Sequence, residues 1–127
     1  MTRVSITHMS NAHNGWLRSL DFYKQEIKIL KGLLTEIAKK NTSAPVMKEV
    51  EHFENQFRIQ LENIAKLAHD IKGNLTDAGK QAHASGAGYI DGILLSTHTA
   101  LGEKYIVEEK IVNELRHSFQ QFAAEWM

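Results

Sequence analysis

Two Glu-x-x-His pairs, Glu49 with His52 and Glu114 with His117, are the residues whose spacing first suggests chemistry. On a helix this spacing puts a carboxylate and an imidazole on one face. Helical bundles build carboxylate-bridged di-iron centres from two such pairs and two further glutamates. The helical wheel argues against that use. At about 100° per residue, His117 lies nearly opposite the centre of the Leu115/Phe119 seam, and His52 lies about 130° from the centre of its own apolar arc. Ligands on solvent faces cannot converge in a core, so both histidines are expected to be exposed and to contribute no metal affinity.

His13, His69 and His98 are expected at one end of a helical bundle, where three imidazoles could bind a metal. Their directions weaken that reading, because His69 points away from its seam and the other two sit at arc edges. The run Gly86-Ala87-Gly88-Tyr89-Ile90-Asp91-Gly92 resembles a phosphate loop only in its glycines. No strand pattern precedes it and no Walker Lys-Ser/Thr follows, so it reads as a connection. No catalytic, metal or cofactor-binding residue is assigned.

Polar residues inside apolar seams are more informative. Glu108 occupies the heptad slot between Tyr105 and Val112, Glu26 lies between two apolar lines, and Gln60 sits beside Phe57 and Leu61. If the helices align end to end, Glu26, Gln60 and Glu108 fall in one layer at mid-bundle. A buried charge without a partner costs several kcal/mol, about 3–5 for a broken pair, so such a layer serves either register or a site. Two carboxylates there need a shared proton or a cation, either a metal or Arg58.

The elements that must position these residues are helices. Trp16, Leu20, Tyr23, Ile27, Leu30, Leu34 and Ile37 recur in alternating steps of four and three, a heptad seam. Phe22, Ile29 and Leu33 form a second line that widens the apolar arc to about half the wheel, so helix 1 should touch more than one neighbour. It is expected to begin near residues 11–14, after an N-terminal arm over residues 1–11, and to close around Lys39–Asn41. Thr42-Ser43-Ala44-Pro45 reads as a capped turn into an antiparallel helix 2 whose seam runs from Val46 to Leu75. Helix 2 is expected to fray from Gly73 into a Gly-rich connection over residues 79–92. A third seam, Leu101, Tyr105, Val112, Leu115, Phe119, Phe122 and Trp126, runs to the chain end. Residues 89–96 can be its first turns or a separate short helix, with Val4 and Ile6 packed on them.

These patterns predict an all-α, single-domain (residues 1–127) up-down-up bundle of three long helices with coiled-coil-like packing, to which the Gly-rich connection can add a short fourth helix. With 15 Lys+Arg against 15 Asp+Glu and no Cys, the chain offers no global attraction to nucleic acid and no thiolate or disulfide chemistry. No stretch approaches the roughly 20 apolar residues of a membrane span. The expected setting is the cytoplasm, and the expected role is an interaction or assembly module. The expected state is an elongated homo-oligomer, a dimer, and a protein partner is expected as well. The alternative is a metal-binding or enzymatic bundle using Glu26 and Glu108.

Overall fold

The computed structural model describes residues 4–85, 89–90 and 92–127. Three long helices, α1 (Ile6–Lys40), α2 (Ala44–Ser85) and α3 (Gly92–Trp126), pack against one another. Two short strands, β1 (Val4–Ser5) and β2 (Tyr89–Ile90), pair antiparallel, Val4 opposite Ile90 and Ser5 opposite Tyr89.

Side-chain contacts fix the helix directions. His13, near the start of α1, reaches Asn74, near the end of α2, so these two run antiparallel. Trp16 stacks on His98 near the start of α3, and Asn41 beyond the end of α1 donates to the Trp126 carbonyl at the end of α3. Helices α1 and α3 are therefore parallel, giving up-down-up. The turn between α1 and α2 works as its residue types require. Asn41 Nδ2 also donates to the Ile37 carbonyl, and Met47 N–H bonds the Ser43 carbonyl as the first link of α2. Pro45 sits in that first turn, where its missing N–H breaks no helical bond.

The heptad seams are the core. Leu20, Ile27, Leu34 and Ile37 of α1 bury against Val46, Val50, Phe57, Ile64 and Ile71 of α2 and Leu101, Val112 and Phe119 of α3. Towards the α1–α2 turn, Phe53 and Phe57 each meet Phe119 edge-on, with ring centroids 5.4 and 5.3 Å apart. Aromatic pairs prefer that geometry, since a positive ring edge faces a negative ring face.

Three expected boundaries are corrected. Helix α1 begins at Ile6, not near residues 11–14, because Met9 is fully buried against Ala78 in a second small cluster and its carbonyl holds the His13 ring. Of the N-terminal arm, Val4 and Ser5 pair with residues 89–90 as a strand, and residues 1–3 lie outside those described. Helix α2 does not fray at Gly73 but continues to Ser85, because Asn74, Ala78 and Ala82 keep a buried stripe on the helix. Residues 79–85 therefore belong to α2 and residues from Gly92 to α3, so among the described residues the connection forms no separate helix. Residues 86–88 and 91 lie outside those described.

Candidate functional site

Of the three residues expected in one polar layer, the structure joins two. Gln60 (5 % exposed) and Glu108 (6 % exposed) face each other across the α2–α3 seam. With its amide turned to donate, Gln60 Nε2 lies 2.6 and 3.1 Å from the two Glu108 carboxyl oxygens. Burial pushes the Glu108 carboxyl up to about 7, because removal from water penalises the charged form. The pair suits both protonation states. The carboxylate accepts from the amide, and the neutral acid can donate to the amide oxygen once the amide rotates.

Glu26 is held elsewhere. Both of its carboxyl oxygens lie 2.6 Å from Arg116 Nη1 of α3, in a half-buried ion pair. The cation that Glu26 meets is Arg116, while Arg58 lies exposed and pairs with Glu62 at 3.4 Å. Next to it, Glu109 Oε2 accepts from Tyr23 and from Tyr105, each at 2.8 Å. Burial first, and these bonds second, hold the Tyr23 phenol above its ordinary range. Burial also raises Tyr105. A cleft between α1 and α3 runs along these groups, lined by Arg18, Ser19, Phe22, Tyr23, Glu109 and Arg116 among others.

The histidines divide by position. His52 and His117 are exposed, as the wheel requires, and so is His69. His13, expected at an arc edge, is fully buried. Its Nδ1 lies 2.8 Å from the Met9 carbonyl. Its Nε2 lies 2.8 Å from Asn74 Oδ1, and the Asn74 amide reaches the Leu94 carbonyl at 3.5 Å. His13 and Asn74 therefore tie all three helices together. The His98 ring packs 4.9 Å from His13 and 5.0 Å from Trp16. Its buried Nδ1 has no hydrogen-bond partner. Burial first, then the charges of His13 and His8, hold its pKa below the ordinary value. Among the described residues, no group of three or more His, Asp or Glu is placed to hold a metal ion.

The remaining feature is apolar. Phe22 (59 % exposed) and Ile29 (65 % exposed), from the second apolar line of α1, project to solvent, while Leu33 is half-buried. Ile106 of α3 is also exposed, one heptad before Asn113 of the α1–α3 cleft. On the other side of α3, exposed Val107 and Ile111 border a groove of about 540 Å³ against α2. Charged residues Lys66, Asp70, Glu103 and Lys104 rim that groove.

Sequence reasoning found Gln60 and Glu108 through their heptad phase. It missed Arg116, Glu109 and Asn74. Asn74 carried a usable signal, the three- and four-residue steps from Ile71 to Ala78. Arg116 and Glu109 carried none, because their roles depend on the rotation of α3 against α1. Comparison with protein-family models, curated proteins and solved structures finds no match to this chain.

Proposed function

We propose that this chain is a small helical-bundle assembly module, an interaction domain that self-associates through α1. The uncovered apolar line of that helix carries the reading. Phe22 and Ile29 lie mid-helix, yet both stay in water while the other α1 seam is buried. Burying a side chain of this kind is worth about 1.5–3 kcal/mol. Apolar groups left out together on one face mark an association surface.

The unbroken heptad of α1 supports knobs-into-holes packing in the bundle and fits addition of a further helix to it. The same proposal places the chain in the cytoplasm, on the strength of a composition without cysteine. The balance of Lys+Arg and Asp+Glu favours a protein partner over nucleic acid. No observation favours a carboxylate-pair metal or enzyme site, because Glu26 is taken by Arg116 and Glu108 by Gln60.

Light scattering on untagged protein over a concentration series tests this reading. The expected mass is twice the 14.4 kDa chain, and a monomer at the highest attainable concentration would remove the proposal.

A further inference from the structure

We propose that the uncovered face of α1 is occupied by a second copy of this chain, its α1 docked antiparallel on the same face about a two-fold axis beside residue 27. The inference rests on the assembly reading above and deepens it by naming the partner and the register.

Arg18, Phe22, Gln25, Ile29, Gly32 and Glu36 are all exposed and recur in steps of four, three, four, three and four. At about 100° per residue they fall within about 40° of one line, on the side of α1 away from its buried seam. This second heptad stripe is about 27 Å long at 1.5 Å per residue, and every member is exposed although Arg18 and Phe22 also border the α1–α3 cleft.

The stripe matches itself when turned end for end. Arg18 then stands opposite Glu36 of the second copy, Phe22 opposite Gly32, and Gln25 opposite Ile29. Two of these matches are chemically specific, Arg18 with Glu36 and Phe22 with Gly32. Among the described residues Arg18 makes no ion pair, and Glu36 makes one long contact, 3.8 Å to the exposed Lys39. A Cβ built at Gly32 would meet nothing within 4 Å, so the helix surface there is open and can receive a phenyl ring. Parallel docking would instead set Arg18 against Arg18 and Glu36 against Glu36. Like charges repel there, whereas the antiparallel arrangement pairs opposite charges at both ends. A two-fold axis repeats every contact twice and closes the assembly at a dimer.

Charge reversal followed by sedimentation velocity reads out the register. Arg18→Glu alone, or Glu36→Arg alone, turns two attractive pairs per dimer into repulsive ones and should weaken self-association by about tenfold. The double variant, and an equal mixture of the two single variants, should both return to the parent affinity. Gly32→Leu fills the recess that receives Phe22 and should abolish the dimer. Its circular dichroism should stay at parent level, since the site is open in the monomer.

A dimeric parent whose Arg18→Glu and Gly32→Leu variants still dimerise like the parent would overturn this register and leave the assembly reading intact. Failure of the mixture to recover would likewise overturn it. A monomeric parent would overturn both.

Discussion

Glu108 is the residue at which burial most changes chemistry, and the consequence for stability has a definite sign. Below about 4.5, its ordinary value, folded and unfolded chains both hold the proton. Between there and about 7 only the folded chain holds it, so stability falls as pH rises through this window and then levels. A Glu108→Gln variant mimics the neutral acid. Its melting temperature should gain on that of the parent between about pH 4.5 and 7, and a difference constant with pH would refute the assignment. His98 contributes a separate limb. Its pKa is lowered below the ordinary 6.5, first by burial, so on acidification below 6.5 the unfolded chain takes the proton first and stability is lost. His98→Phe keeps an aromatic ring on Trp16 and should flatten that acid limb in pH-dependent melting curves. An unchanged slope would mean that another group sets it. Both residues show what heptad phase can reveal. The phase predicted a polar residue at 108 inside the seam, and the structure buries it. The same phase put His13 at an edge, because a wheel cannot represent a carbonyl and an amide arriving from Met9 and Asn74 to satisfy a buried ring.

Helix α2 shows where composition misleads about an element. Gly73, Gly79 and the small residues around them suggest fraying, since glycine costs about 1 kcal/mol against alanine in a helix interior. The helix persists because Asn74, Ala78 and Ala82 are buried, and small buried side chains leave little trace in a hydropathy pattern. Gly73→Ala meets nothing within 4 Å and should raise stability by roughly 0.5–1 kcal/mol in denaturant titration. Gly102→Ala makes the contrasting case on α3. Its Cβ would stand 3.0 Å from the Trp16 ring, so the gain should vanish or reverse unless the ring moves. Asn74→Ala removes the partner of the buried His13 Nε2 and should cost about 1–3 kcal/mol. Hydrogen exchange should then quicken at the ends joined there, the starts of α1 and α3 and the end of α2. Exchange confined to α2 would show that His13 does not couple them.

At the scale of the molecule, helices of 35, 42 and 35 residues make a bundle about 63 Å long along α2, at about 1.5 Å per residue. Three helices around one seam cannot cover an apolar arc that spans half of α1. The width of that arc was legible in the sequence. Which part of it stayed uncovered was not, because that depends on how α2 and α3 divide the circumference between them. Self-association through α1 is tested most directly by sedimentation velocity on three proteins: the parent, the α1 variant Phe22→Ser/Ile29→Ser, and a control altered on the opposite groove, Val107→Ser/Ile111→Ser. The predicted result is a dimer for the parent and the control and a monomer for the α1 variant. A dimeric α1 variant, or a dimer lost only in the control, would contradict it.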